Sequence, residues 1–179
     1  MAIQHSKRRI ASARLVRVAG ELLDASTLCA IATTTPRGAP HINTAYFAWG
    51  HEFEIVWLSE PRATHSRNLQ ANPSAAIAVY DSTQRWGRPD RGIQLFGSAA
   101  EVTGEVQPMA RRLYVERFPG FGDGRLAAYH LYLFRPRRLK LFDERTFGTA
   151  TFVTARVGPR NRLAWESTEI YQPGDTLSA

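Results

Sequence analysis

The stretch FEIVWLSEPRATHSRNLQANP, which runs from Phe53 to Pro73, carries the most information about the fold of this 179-residue chain. An apolar run that predicts a β-strand ends at Ser59, and hydroxyl, cationic and amide side chains follow within a predicted helical turn at about 63–71. Asn72-Pro73 stops that turn, because the residue before a proline is driven away from helical geometry. A strand that leads into a helix start with clustered donors is well suited to bind a phosphate group.

Short apolar runs on both sides of this stretch predict further β-strands. The predicted strands are Thr27–Thr35, Pro40–Trp49, Phe53–Ser59, Ser74–Asp81, Arg91–Val102, Leu131–Phe134, Arg137–Asp143 and Thr149–Val157. Periodic apolar residues predict helices at Ser6–Ser26 and Glu105–Phe118, and Gly97 is expected to form a bulge in the fifth strand. Because no regular helix separates the strands, they favour an antiparallel barrel with flanking helices over a doubly wound sheet.

Three segments are expected along the chain. Residues 1–26 form a helix that packs on the barrel, residues 27–157 form the barrel domain, and residues 158–179 form a polar C-terminal tail that frays. The glycine-rich segment Pro119–Gly124 is expected to be a mobile loop near a ligand. Trp86 and Trp165 stand in polar segments, where exposed indoles are candidates for stacking on a ligand or substrate.

The composition fits a globular protein and excludes several kinds of site. Hydrophobic residues make up 44% of the chain and charged residues 22%, and no apolar run reaches the length of about 20 residues that a membrane helix needs. The single cysteine, Cys29, excludes an internal disulfide and a multi-cysteine metal site. The histidines lack the HxH or HxxxH spacing of a zinc site, so no metal is expected. A cytoplasmic protein is predicted.

The formal net charge of +7 and the sequence pI of about 10.2 indicate anionic partners. Nucleic acid is one candidate, and steeply salt-dependent DNA binding would identify it. The basic runs Lys7–Arg9, Arg111-Arg112 and Arg135–Arg138 are short, scattered and free of interleaved aromatic residues, unlike an RNA-binding strand. The charge is therefore interpreted as mostly solvated surface, with a minority of the cations available to a phosphate.

The donors between Ser59 and Asn68 have ordinary explanations when each is taken alone. Ser59 can simply end a strand, Thr64 and Ser66 can cap a helix, and Arg67 can be a solvated cation. Together they supply the several donors in one place that a phosphate needs. His65 can donate to a phosphate when neutral, or become protonated beside a dianion, and the sequence leaves both states open.

Two segments carry a resemblance to a known family: HSRNLQANP (His65–Pro73) and GIQLFGSAAEV (Gly92–Val102). With the strand order from Thr27 to Gly104, they resemble the pyridoxamine 5′-phosphate oxidase-like family of flavin-binding split β-barrels. The resemblance implies a mainly β fold, a six-stranded antiparallel split barrel of Greek-key type. It also implies a homodimer that binds FMN at its interface, with contacts from both chains. The composition, for its part, predicts no membrane partner and does not favour nucleic acid.

The resemblance also implies a set of cofactor-binding residues. Residues of the second and third strands line the flavin ring, the turn after the third strand holds the phosphate, and a residue of the fifth strand approaches the ring or ribityl chain from the same or the partner chain. In chain order, the set is Asn43, Thr44, Ala45, Leu58, Ser59, Thr64, His65, Ser66, Arg67, Asn68 and Gln94. No residue stands out as a catalytic acid or base, as is usual when the cofactor carries the redox chemistry.

Three departures from the family pattern argue against oxidation of pyridoxamine phosphate itself. Thr64-His65 replace an arginine–lysine pair, the segment Asn43–Ala48 carries no cation, and residues 158–179 lack the substrate-binding motif with arginine and histidine. The predicted function is an FMN-dependent oxidoreductase that acts on an unidentified small molecule. The alternative is a protein that binds flavin, deazaflavin coenzyme or haem on the same barrel without turnover.

Overall fold

The structure is a computed structural model that describes residues 2–120 and 129–172. Its strands are β1 (Ala2–Ser6), β2 (Leu28–Thr34), β3 (Pro40–Trp49), β4 (Ile55–Ser59), β5 (Ser74–Tyr80), β6 (Arg91–Glu101), β7 (His130–Asp143), β8 (Thr151–Gly158) and β9 (Arg162–Gln172). Its helices are α1 (Ser12–Asp24), α2 (Thr64–Ala71), α3 (Gln107–Arg117) and α4 (Glu144–Phe147), and a 3₁₀ turn at Gly104–Val106 precedes α3. Residues 121–124 of the predicted loop lie outside the described residues.

Six of the strands close into a barrel in the order β2-β3-β4-β7-β6-β5, and β5 pairs back with β2. Every pairing is antiparallel, which confirms the predicted six-stranded antiparallel split barrel. Inward-facing side chains such as Ile31, Trp57 and Leu95 fill the barrel and are fully buried. A second apolar cluster lies outside the barrel, where Ala110 and Tyr114 of α3 pack on β3, β4 and β7.

Strand β7 runs unbroken through Arg135-Pro136, so the prediction of two separate strands is wrong at this point. The pairing with β6 shifts register between Phe96 and Gly97, which confirms the predicted bulge. A Cβ atom at Gly97 would lie 2.1 Å from the backbone oxygen of Arg135, so only glycine permits this approach. The bulge lets β7 bend around Pro136 without ending, and its two halves pair with β4 and β8 along the same edge.

Both ends of the described chain differ from the sequence prediction. The expected fraying tail is wrong for Arg162–Gln172, which form β9 and pair with β8 and with β1. The helix expected from Ser6 begins at Ser12, because Ala2–Ser6 form β1 on the edge of β9. These strands are hard to predict from the sequence because many of their residues are polar, and because the residues of β1 pair with residues of β9 that lie more than 160 positions away in the chain.

The tryptophans divide between core and surface. Trp57 is fully buried and stacks on Tyr132, with ring centroids 5.6 Å apart. Trp49 donates from Nε1 to Asp24 at 2.8 Å, Trp165 donates to Thr168 at 2.9 Å, and Trp86 is exposed. None of the helices in the described part of the chain has the length and apolar character needed to span a membrane.

Candidate functional site

A groove of about 360 Å³ lies where β3, β4, α2 and α3 meet on one side of the barrel. Six of the predicted cofactor-binding residues line it: Asn43, Thr44, Ala45, Leu58, Ser59 and His65. The remaining lining residues are Tyr46, Glu60, Ala63, Tyr114 and Tyr129. Its volume falls within the range of about 300–1,000 Å³ that is common for small-molecule sites.

The groove exists because β3 and β4 separate along part of their length. The two strands pair only where Phe47–Trp49 face Ile55–Trp57. Beyond that point β3 continues alone along β2, while Leu58 and Ser59 of β4 stay paired with β7 on their other side. Within residues 2–120 and 129–172, no strand lies between the facing edges of Asn43–Tyr46 and Leu58-Ser59, which leaves backbone donors and acceptors open to a ligand.

Helix α2 begins at the end of this groove without a side-chain cap. Its N-cap residue is Ala63, whose methyl group can accept no hydrogen bond from the first turn. The N–H groups of the first turn have no intrahelical acceptor, and they carry the positive end of the helix dipole. An anion bound there would supply the acceptors that the sequence leaves out.

Three side chains form a buried hydrogen-bonded cluster under the start of α2. His65 Nε2 lies 2.7 Å from Ser59 Oγ, and Ser59 Oγ lies 3.1 Å from Ser66 Oγ. Ser66 Oγ donates to the Glu60 carbonyl at 2.8 Å. The cluster ties α2 to the end of β4, so the His65 ring has a fixed orientation in the wall of the groove.

Burial shifts the pKa values of several groups at the groove. Burial lowers the pKa of His65 because the imidazolium loses solvation, and His41 lowers it further by repulsion. Burial also raises the pKa of Tyr114, with a smaller contribution from Tyr46. In the ligand-free groove His65 is therefore neutral at pH 7.

Two predicted residues of α2 have side chains used within the protein. Ser66 is buried in the cluster described above, and Asn68 donates from Nδ2 to Thr33 Oγ1 at 3.0 Å. Both bonds hold α2 against the barrel. Thr64 and Arg67 are exposed on the same helix and do not belong to the groove lining.

Gln94 lies away from the groove, on β6 between Ala78 of β5 and Lys140 of β7. It alternates with the buried Ile93 and Leu95, so its side chain points to the outside of the barrel. Within one protomer it does not reach the groove lining. The predicted approach from a partner chain stays a prediction.

Apart from Tyr46, which directly follows the predicted Asn43–Ala45, sequence reasoning missed four lining residues: Glu60, Ala63, Tyr114 and Tyr129. Glu60 and Ala63 lie within the stretch from Phe53 to Pro73, but a carboxylate and a methyl group do not indicate a phosphate site. Tyr114 is brought in by α3, whose packing on β3 and β4 is a long-range contact. Ala110, one turn earlier, is buried on the same face of α3.

A second cavity of about 290 Å³ adjoins the groove and shares Leu58 and Tyr129 with it. In its wall His130 Nδ1 lies 2.5 Å from Glu101 Oε1. The carboxylate fixes the ring and leaves Nε2 of His130 as the nitrogen available to a ligand. Within residues 2–120 and 129–172, no three His, Cys, Asp or Glu side chains come together as metal ligands would.

Comparison with solved structures finds the same fold in proteins of low sequence identity. A pyridoxamine 5′-phosphate oxidase-related, FMN-binding protein from Nostoc punctiforme is 15% identical, with a TM-score of 0.60 over 89% of this chain and 95% of that one. The haem storage protein HutZ from Vibrio cholerae is 21% identical, with a TM-score of 0.59 over 73% of this chain and 93% of that one.

A protein of unknown function from Agrobacterium tumefaciens is 20% identical, with a TM-score of 0.59 over 72% of this chain. The present chain spans only 56% of that protein's length. None of the curated proteins compared matches the sequence.

The family model described as pyridoxamine 5′-phosphate oxidase matches residues 16–142, which is well over half of the chain. The matched segment contains the whole of the groove lining and the closed barrel up to the end of β7. This chain therefore belongs to the pyridoxamine 5′-phosphate oxidase family.

Proposed function

We propose that the chain binds FMN in the groove and acts as an FMN-dependent oxidoreductase on a small molecule. The observation that carries this proposal is the separation of β3 from β4 beside the uncapped start of α2. It places open backbone for a flat polar ring next to donors for a phosphate. FMN has this combination of groups.

The residues present fit the two ends of FMN. The open edge at Asn43–Ala45 and Leu58 would contact the ring, since these side chains are small or apolar and line the groove. Thr64 and His65, with the exposed cations Arg62 and Arg67, would surround the phosphate. FMN would supply hydride and electron transfer, while the chain orients the ring and offsets the phosphate charge.

The proposal includes a homodimer, supported by an apolar face on the outside of β2, β3, β5 and β6. Small side chains face each other across its centre, with Ala30 opposite Ala78 and Ala32 opposite Ala76. Ile42 is 69% exposed at the edge of this face and Phe96 is 41% exposed. A second copy is the proposed partner, since a flat face of small residues permits close sheet-to-sheet packing. Gln94 stands on this face, and in the proposed dimer it would contact the partner's groove.

Absorption spectroscopy of the purified protein tests the cofactor directly. We expect a flavin spectrum, or one that develops on addition of FMN, and mass spectrometry of the material released by heat should identify FMN. A colourless protein that binds neither added FMN nor a deazaflavin coenzyme would overturn the flavin proposal. Release of a deazaflavin would keep the site and replace the cofactor.

Haem binding is a second candidate, and the His130–Glu101 pair is the observation that favours it. An imidazole held at Nδ1 by a carboxylate presents Nε2 in the manner of an axial ligand. If haem binds here, added hemin gives a Soret band in the wild type that shifts or disappears in His130→Ala. An unchanged Soret band in that variant would show that His130 is not the ligand.

A further inference from the structure

The hydroxyl protons in the cluster under α2 determine which nitrogen of His65 carries hydrogen. Ser66 has one hydroxyl proton, and it goes to the Glu60 carbonyl at 2.8 Å because a carbonyl can only accept. The single proton of Ser59 then goes to Ser66 Oγ at 3.1 Å or to the same Glu60 carbonyl at 3.3 Å. With that proton committed, the 2.7 Å contact requires His65 Nε2–H to donate to Ser59.

The result is a one-way chain of donors that starts at His65 and ends at the Glu60 carbonyl. Neutral His65 therefore carries its proton on Nε2, and Nδ1 is a bare acceptor. Within the described residues no hydrogen bond to Nδ1 is present, and the ring lines the groove. An acceptor nitrogen repels an unprotonated phosphate oxygen, so a phosphate dianion can accept a hydrogen bond at this position only after Nδ1 is protonated.

We propose that His65 is the residue that selects a phosphate monoester in this groove, and that it takes up one proton when that phosphate binds. The inference rests on the proposed function, because it assumes that the phosphate of FMN lies at the start of α2. His65, whose charge depends on protonation, would then contact the phosphate in place of a permanently charged cation.

The surroundings of His65 favour a neutral imidazole when no anion is bound and a charged imidazolium when a phosphate is bound. Burial and His41 on β3 disfavour the imidazolium when no anion is present. The other ionisable lining groups are Tyr46 on β3, Glu60 in the turn before α2, Tyr114 on α3 and Tyr129 before β7. Arg62 and Arg67 are exposed cations beside it in the chain. A phosphate dianion would reverse the balance by adding two negative charges next to the ring.

The sign of the pH dependence follows from linkage. The pKa of His65 is low in the empty groove and higher in the complex, so between these two values binding takes up a proton. In that window FMN affinity falls as pH rises, by up to roughly tenfold per pH unit for one proton. Below about pH 6 the phosphate itself becomes a monoanion, so the affinity has a maximum rather than rising steadily in acid.

Titration calorimetry at pH 7.5, in two buffers of different protonation enthalpy, measures the protons taken up on binding. We expect an uptake approaching one proton per FMN for the wild type and none for riboflavin, which lacks the phosphate. His65→Gln should bind FMN more weakly with no uptake, and His65→Lys should bind FMN with no uptake. His51→Gln, in the exposed turn before β4, is the matched control and should behave as the wild type.

His41→Gln decides whether the proton goes to the other nearby imidazole, and it should retain the uptake. Thermal unfolding of each variant confirms folding, and His65→Lys keeps the test valid if His65→Gln is unstable. FMN binding without proton uptake, or uptake that persists in His65→Gln, overturns the inference and leaves the flavin proposal intact. Absence of FMN binding at every pH overturns both.

Discussion

At the scale of single residues, some side chains of the site are held by hydrogen bonds within the protein, and others are exposed to solvent. Ser66 and Asn68 are buried and hydrogen-bonded within the protein, whereas Thr64 and Arg67 on the same helix are exposed. The fixed pair positions α2, and the exposed pair is available to a ligand. The sequence shows that these four residues are close in the chain, but only the structure shows which of them are buried and which are exposed.

Arg67→Ala tests the role of the free cation. We expect FMN binding to weaken by more than about 1 kcal/mol, or at least about fivefold in Kd, because a charge-assisted bond to phosphate is lost. Fluorescence titration of FMN measures the change. Arg37→Ala, in the exposed turn between β2 and β3, is the control and should leave the Kd unaltered. Equal affinities of wild type and Arg67→Ala would remove Arg67 from the site.

At the scale of elements, the bulge between β6 and β7 shapes the barrel. We expect Gly97→Ala to lower the free energy of unfolding by more than about 2 kcal/mol, because the added Cβ would meet the backbone of Arg135, which cannot move aside. Urea unfolding measures this. Gly120→Ala, where a Cβ would meet no atom of the described residues within 4 Å, should change it by less than about 0.5 kcal/mol. Comparable losses in both variants would contradict the steric explanation.

Local patterns predict the elements whose neighbours are close in the chain. The short apolar runs around Ile31, Trp57 and Ile77 predict β2, β4 and β5, because such runs bounded by turn residues are typical of strands. The pairing of β1 with β9 has no local signal, since it joins opposite ends of the chain. Pro136 gives a misleading signal, because a proline normally ends a strand and here the bulge at Gly97 accommodates it.

The candidate site was predictable to a similar extent, and for a similar reason. His65, Ser59 and Leu58 lie in one continuous stretch, so their proximity can be inferred from the sequence. Tyr114 and the pair His130–Glu101 reach the same region through the packing of α3 and the pairing of β7 with β6. No spacing of residues in the sequence predicts those contacts, because they depend on tertiary structure.

At the scale of the whole molecule, the proposed dimer can be tested by a substitution on the outer face of the sheet. We expect Ala78→Arg to convert a dimer to a monomer, because it places a charge at the centre of a face of small residues. FMN binding should weaken in the same variant, since contacts from both chains are proposed. Sedimentation equilibrium measures the mass, and Ala164→Arg on the exposed side of β9 is the control. A wild type that is monomeric at all concentrations would overturn the proposed assembly.

The alanine at the start of α2 has a consequence for the life of the protein in the cell. The N–H groups of the first turn have no acceptor within the helix and none from a side-chain cap. A bound anion would supply the acceptors for these N–H groups. We expect a bound anion to hold this turn more firmly, so that a loaded chain resists proteolysis near Ala63 better than an empty one. Turnover of the protein would then follow the supply of its ligand, and molecules without one would be removed first.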